Sequence, residues 1–367
     1  MGLKFRGIDA NIHAVVAALE LVIELKNMDA VEAKAIKRTL KKHPELMELY
    51  GDIKSDLSEV EKTLQQFADS PNQIISEISE YLFQRSGKRM RPALLMICSR
   101  IFDYRGSEHI LLSALVETIH TASLIHDDII DNSEIRRGQD SVHKRWGPNI
   151  TVLLGDYLYI KTIALSLDTS SPEFTRILTE VSTQMIEGEL HEYHRSGNLD
   201  LGEPEYLEII RKKTAALFSA SCHLGALLGG SDAEQARIFS DYGMAIGMSF
   251  QIIDDLLDYS GDHKILGKPV LSDLTEGRIT LPMIYALNQD GGMFRDRLID
   301  LFGERDKNPD AKSMILKIVK SNGALDYSFQ QAEAYARKAQ SLLSGLPESM
   351  YRESLLNIPD YVLLRNK

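Results

Sequence analysis

The pattern Asp-Asp-x-x-Asp occurs twice in this chain of 367 residues, as Asp127-Asp128-Ile-Ile-Asp131 and as Asp254-Asp255-Leu-Leu-Asp258. Independent placement at an Asp content of about 7% supplies only about 0.15 copies. Each cluster lies in an apolar run, Leu124-Ile125 before the first and Ile252-Ile253 before the second. On a helix the outer two Asp, four residues apart, lie about 40° apart on one face. Carboxylates packed so closely on a half-buried helix repel each other and resist desolvation. A cap-like surface cluster is the bland alternative, but mid-helix Asp is a poor helix former. A hard divalent cation relieves the repulsion, and carboxylates that leave most positions to water and phosphate make the Mg²⁺ pattern. Both patches then have to point at each other across one shared cavity.

The rest of the chain is helical in period. Leu111, Leu115, Ile119 and Ala122 recur at steps of three and four, as do Phe250, Ile253 and Leu257. Gly and Pro punctuate the pattern at Ser86-Gly87, Pro92, Gly138, Gly147-Pro148, Gly229-Gly230, Gly267 to Pro269 and Gly291-Gly292. The spacing predicts about a dozen helices and an all-α fold. Residues 1–70 differ in character, with a basic run at Lys34, Lys37, Arg38, Lys41 and Lys42. They read as a helical N-terminal extension of unknown role, solvated rather than partner-binding, ahead of a catalytic domain over 71–367.

Composition excludes several classes. A net charge of -11 argues against a nucleic-acid partner. Cys98 and Cys222 lie far apart with no metal-ligand spacing around them, which suits a reduced, cytoplasmic setting. The most apolar stretch, 214–230, is interrupted by His223 and falls short of the roughly 20 residues of a transmembrane helix. Acids at Asp9, Glu20 and Glu24 speak against a signal peptide, and Arg6 breaks the myristoylation pattern.

A second signal is basic. Gly87-Lys88-Arg89-Met90-Arg91-Pro92 opens a helix, with Lys88 and Arg91 beside an N-terminus suited to anions. Arg136-Arg137-Gly138 follows the first Asp cluster, and Lys213-Thr214 and Lys268 lie near the second half. Each alone reads as solvated surface; together they form phosphate clamps around two metal platforms. His120 lies two turns before Asp127 on the same face, either a core histidine or a site residue. His126 is placed to orient a carboxylate. Glu117 and His120 make one di-iron-type E-x-x-H, but a second such pair is missing: His191 and His194 flank Glu192 in the wrong pattern.

These stretches resemble the trans-isoprenyl diphosphate synthases, the polyprenyl synthetase family, and more specifically its long-chain members. The likeness rests on Gly87-Lys88 to Arg91-Pro92, the run from His120 to Gly138, Gly155-Asp156, Lys213-Thr214, Phe250 to Tyr259, Gly267-Lys268-Pro269 and Asp273 to Pro282. It covers the chain from about residue 75 onward. The resemblance implies an isoprenoid-synthase-type helical bundle around a central cavity. Asp127, Asp128 and Asp131 would hold two Mg²⁺, and Asp254 with Asp255 and Asp258 a third. Arg136, Lys213, Thr214, Gln251 and Lys268 match positions that grip an allylic diphosphate, and Lys88, Arg91, His120 and Arg137 those that bind isopentenyl diphosphate. The expected catalytic set is Asp127, Asp128, Asp131, Lys213 and Asp254. Six carboxylates at about -6, three Mg²⁺ at about +6 and a diphosphate at about -3 then need about three cations, which Arg136, Lys213 and Lys268 supply.

The implied reaction ionises the allylic C–O bond. Isopentenyl diphosphate attacks the cation, and a proton then leaves to the released diphosphate. A homodimer is a further expectation from the family. In this family large residues just upstream of the first Asp motif stop elongation early. Here those positions are Ala122 and Ser123, with Ile119 a turn further back. A stop moved back two turns lengthens the pocket by roughly 11 Å, so the expected product has about thirty to fifty carbons, a quinone side-chain precursor. A geranylgeranyl- or farnesyl-length product is the alternative, and close packing of small core residues is the competing explanation of Ala122. Arg278 departs from the Lys common in the D-L-x-E-G-K pattern. Leu271 and Ser272 are unusual for long-chain members, and the run Glu189 to Glu192 lacks a frequent Gln. Non-catalytic partner subunits of the family lose Asp residues, whereas this chain keeps all six.

Overall fold

Apolar residues three and four apart give each helix one buried stripe, and pairing those stripes builds the fold. The computed structural model describes residues 46–83, 87–136, 138–260, 271–289 and 293–364. The chain opens with α1 (Leu46–Leu49), a 3₁₀ turn (Gly51–Ile53), α2 (Lys54–Ala68), α3 (Gln73–Phe83), α4 (Met90–Ile101) and α5 (Glu108–Ile130). A two-residue hairpin follows, β1 (Ile135–Arg136) against β2 (Gln139–Asp140), antiparallel with Arg136 opposite Gln139. Next come α6 (Val142–Trp146), α7 (Pro148–Ser166), α8 (Pro172–Arg195) and α9 (Glu203–Ile210). A π-helical segment (Arg211–Ala215) leads into α10 (Ala216–Leu228) and α11 (Ala233–Ser260). The chain ends with α12 (Ser272–Thr275), α13 (Leu281–Asn288), α14 (Arg295–Glu304), α15 (Pro309–Ser321), α16 (Ala324–Leu342) and α17 (Met350–Leu364).

α11 is the axis. It packs along α10 and α16, α10 packs on α4, and α5 lies against α7, α4 and α2. Its first half (Phe239, Tyr242, Ile246) belongs to one core with α4, α5 and α10, and its second half (Ile252, Ile253, Tyr259) to another with α9, α13 and α14. α5 likewise runs from the first core at Leu112–Ile119 into a small cluster with Ile78, Leu154 and Leu158. Both acidic motifs thus sit near the C-terminal ends of helices whose earlier turns are fixed in apolar cores. Among the described residues, no helix is long and apolar enough to cross a membrane.

Residues 46–68, set in a solvated extension by sequence reading, are built into the first core through Leu49, Tyr50, Ile53, Val60 and Leu64. Arg89 fastens them. It adopts a left-handed backbone (φ 50°), which turns its side chain inward from the basic loop. Its guanidinium forks onto Glu61 of α2 at 2.6 and 2.9 Å and also bonds buried Glu117 of α5. Glu117 is thereby committed to a structural ion pair with Arg89 rather than to a di-iron-type E-x-x-H site. Replacing Arg89 by Met strands Glu117 in the core, so Arg89→Met should lower unfolding stability by roughly 3–5 kcal/mol. Chemical denaturation checks this, with Arg89→Met/Glu117→Leu expected to recover part of the loss.

Candidate active site

The first motif lies on the last turn of α5, where an anion meets the unfavourable end of the helix dipole. Asp127 shows this most. Burial pushes its carboxyl up to about 7, Glu189 and Asp131 add to the rise, and Lys213 and Arg136 oppose it. Asp128 is buried and accepts from Arg136 Nε at 2.7 Å. Arg136 comes from β1, so the small hairpin returns its guanidinium onto the helix just left. Asp131 closes α5 and accepts from Arg278 Nη1 at 2.7 Å.

Lys213 stands on the π-helical segment. There the Ala216 amide bonds the Arg211 carbonyl, five residues back, and the wide turn re-aims the side chains that follow. Two glycines let the neighbours close in. A Cβ on Gly188 of α8 would lie 2.5 Å from the Lys213 backbone nitrogen, and one on Gly247 of α11 would lie 2.4 Å from Ala215 Cα. Lys213 Nζ then reaches Glu189 at 2.6 Å and also pairs with Glu192. Burial works against its charge, but Glu192, Asp127 and Glu189 hold its pKa well above the ordinary lysine value. Thr214 donates to Gln251 Oε1 at 2.8 Å, and Gln251 Nε2 donates to Asp255 at 2.7 Å.

In the second motif Asp255 is fully committed. It takes the Gln251 bond and a second from the buried Tyr206 hydroxyl at 2.7 Å. Burial, with Asp273 nearby, raises its carboxyl well above the usual range. Asp258 caps the start of α12, accepting from the Ser272 amide at 3.1 Å, the Ser272 hydroxyl at 3.0 Å and the Asp273 amide at 3.1 Å. Burial and Asp273 still leave its carboxyl at about 6. Arg278 Nη2 donates to Asp273 at 2.7 Å and pairs with Glu276. The segment held by Asp258 of the second motif thus carries the guanidinium that reaches Asp131 of the first.

The structure brings Asp127, Asp128, Asp131, Arg136, Lys213, Thr214, Gln251, Asp255 and Asp258 into this network. Arg137 and Lys268 lie outside the described residues, as do residues 1–45. Lys88 keeps its ammonium exposed, 5.8 Å above the Tyr361 ring, and Arg91 stacks on Phe218 at 4.2 Å. His120 on α5 and Asp254 on α11 are half-buried. His126 Nε2 bonds the Val152 carbonyl at 3.1 Å and lies 3.7 Å from Asp156, in space that a Cβ on Gly155 would fill. Of the residues assigned to chain length, Ile119 and Ala122 are fully buried in apolar clusters. Ser123 is half-buried one turn below Asp127, its hydroxyl turned back to the His120 carbonyl at 2.9 Å. Sequence reading missed Tyr206, which lies 49 positions from its partner Asp255 and carries no local signal.

Among the described residues, no three His, Cys, Asp or Glu converge tightly enough to enclose an ion by themselves. The donor set nonetheless fits a hard divalent cation. The carboxylates named here outnumber Arg136, Lys213 and Arg278, and Mg²⁺ takes only one or two protein carboxylates, leaving the rest of its shell to water and phosphate.

Comparison with known proteins agrees with this arrangement. Residues 72–319 match the model of the polyprenyl synthetase family. The octaprenyl diphosphate synthase of Escherichia coli is 32% identical over 312 residues, covering 85% of this chain and 96% of that protein. A short chain isoprenyl diphosphate synthase of Methanothermobacter thermautotrophicus is 36% identical over 320 residues, 86% of this chain and 98% of its own length. The fold matches that of a polyprenyl synthase from Caulobacter crescentus complexed with calcium and isoprenyl diphosphate, at a TM-score of 0.82 and 34% identity, covering 89% of this chain and 99% of the other. Two intact acidic motifs, a basic frame around them and this coverage lead to one conclusion: the chain belongs to the polyprenyl synthetase family, the trans-isoprenyl diphosphate synthases.

Proposed function

We propose that the chain condenses isopentenyl diphosphate with an allylic diphosphate in a Mg²⁺-dependent reaction, and that its product is long, about thirty to fifty carbons, as the small Ala122 and Ser123 ahead of the first motif suggest. One observation carries this: Arg136, Lys213 and Arg278 surround the first acidic motif, and the segment that carries Arg278 is held at its start by Asp258 of the second. Asp127, Asp131 and Asp254 are the direct metal ligands in this reading, with Asp128 shared with Arg136. Asp255 and Asp258 act from behind, because their oxygens already hold Tyr206, Gln251 and the start of α12. Bound Mg²⁺ supplies Lewis-acid stabilisation of the departing diphosphate. Lys213, Arg136, Thr214 and Gln251, with Lys268, hold that diphosphate; Lys88, Arg91, His120 and Arg137 hold the isopentenyl one. The catalytic unit includes α2, since Glu61 anchors Arg89 within the isopentenyl loop. Two free, buried cysteines suit a reducing cytoplasm.

Incubation with labelled isopentenyl diphosphate, an allylic primer and Mg²⁺ should give long products by chromatography; absence of any elongated product rejects the reading. Ser123→Phe should shorten the product, because Ser123 is the half-buried member of the three assigned residues. Ala122→Phe should instead destabilise the fold by about 1–3 kcal/mol through overpacking against Leu154 and Leu158.

Metal affinity should depend on pH. Between the ordinary carboxylate value of 3.8 and folded values of about 7 for Asp127 and about 6 for Asp258, the folded chain holds protons the unfolded chain has lost. Ionisation in that window works against the bare fold, with the protonation benefit present at low pH and lost as pH rises through the folded values. Divalent binding needs the ionised form and therefore displaces protons. Mn²⁺ titration by calorimetry in buffers of different ionisation enthalpy should show proton release at about pH 6.5 and little at about pH 8.5.

A homodimer is the assembly we propose. Leu153 and Ile160 on α7 and Leu167 just past its end fall at seven-residue steps, and Ile186, Leu190 and Tyr193 lie on α8, which packs on α7, all 49–71% exposed. Such a stripe on two adjacent helices suits a second copy of the chain. Sedimentation should give about twice 41.3 kDa for the native chain and a monomer for Leu153→Lys/Ile160→Lys.

A further inference from the structure

A carbonyl in the isopentenyl loop has no helical donor, and an earlier part of the chain supplies one. At the start of α4 the Ala93 amide bonds the Arg89 carbonyl at 3.0 Å. The Lys88 carbonyl, one residue before, would need the amide of residue 92, which is Pro92 and has none. Arg89, at φ 50°, also breaks the helical path between them. The Tyr50 hydroxyl donates to that carbonyl instead, at 2.7 Å and from 38 positions away. Tyr50 stands between α1 and the 3₁₀ turn and is buried in the first core. Burial, with Tyr361 and Glu117 nearby, raises its phenol above the usual range, so it stays a protonated donor. The same turn is tied to α17, where the Tyr351 hydroxyl donates to Asp52 at 2.7 Å. α17 in turn sets the Tyr361 ring beneath the Lys88 ammonium.

We infer that Tyr50 is a positioning residue for isopentenyl diphosphate, acting by fixing the backbone of Lys88. The inference rests on the reading of Lys88 as a ligand of that substrate. A lysine side chain is long and flexible, and its ammonium is confined only as well as its backbone is held. Two successive residues of the loop are held here from the segment 46–68. The Arg89 side chain turns inward onto Glu61, and the Lys88 carbonyl turns onto Tyr50, which leaves the Lys88 ammonium on the outer side. Part of the cost of ordering the loop is then met on folding rather than on binding. Without the hydroxyl the carbonyl has to find water, and the loop shifts to admit it. The effect falls on one substrate. Arg136, Lys213, Thr214 and Gln251, assigned to the allylic diphosphate, come from β1, the π-helical segment and α11, none of which Tyr50 holds.

Steady-state kinetics of the full-length chain test this, with each substrate varied in turn while the other and Mg²⁺ are saturating. Tyr50→Phe should raise KM for isopentenyl diphosphate about fivefold and leave KM for the allylic primer and kcat within about twofold. KM does not depend on the amount of active enzyme, so partial loss of folded protein does not mimic the effect. Leu64→Ala opens a cavity in the same core but leaves the hydroxyl in place; it should lower the melting temperature and move neither KM. If it raises KM for isopentenyl diphosphate as Tyr50→Phe does, Tyr50 acts through packing alone and the inference is overturned. Lys88→Met separates the two levels of the argument. It should raise the same KM about thirtyfold, and Tyr50→Phe on top of it should add less than about twofold. If Lys88→Met leaves that KM unaltered, Lys88 is not a ligand and the inference falls with that reading. If Lys88→Met raises it while Tyr50→Phe does not, or the two effects multiply in full, the inference alone is overturned.

Discussion

Acids buried at the C-terminal end of a helix oppose the helix dipole, one another and desolvation at once, and this chain arranges that twice. Asp127, Asp128 and Asp131 end α5; Asp254, Asp255 and Asp258 end α11. Local backbone preference gives no compensation, because Asp is a poor residue for a helix interior. Compensation at the first end comes from charge elsewhere in the chain: Arg136 from a hairpin, Lys213 from a π turn, and Arg278 from the segment that Asp258 holds. Much of the fold can be understood as the means of delivering those three cations. Apolar cores anchor the earlier turns of α5 and α11, so the acidic ends have no freedom to swing out to water.

Some of this was legible in the sequence, and the reason is that period and composition act locally. Helices follow from apolar spacing, and a repeated five-residue acidic pattern is too improbable to be ignored. The basic loop was legible only in part. Lys88, Arg89 and Arg91 look equivalent as letters, but a positive φ at Arg89 turns it into the core and leaves Lys88 outside. Nothing in the spelling of the loop distinguishes them, because the choice is made by Glu61 and Glu117, which lie 28 positions away on either side. Residues 46–68 were misjudged for a related cause: abundant charge suggested a solvated helix, while the apolar stripe from Leu49 to Leu64 faces the core.

The acidic motifs also divide internally in a way the repeat conceals. Asp127 and Asp258 look like members of symmetric clusters, yet one lies beside Lys213 and the other caps a helix. A carboxylate already holding two backbone amides and a hydroxyl has few lone pairs for an ion, so equal letters carry unequal duties. Tyr206 makes the same point for Asp255, since a buried phenol at 2.7 Å orients that carboxylate and has no counterpart at the first motif's Asp128, which accepts from Arg136 instead.

The departures at Arg278 and in the run Glu189 to Glu192 are absorbed in the same way. An Arg at 278 answers Asp131 of the first motif and Asp273 of its own segment with one planar group. Glu189 and Glu192 both pair with Lys213, so the cations of the frame stay embedded among acids, as partly buried charges require.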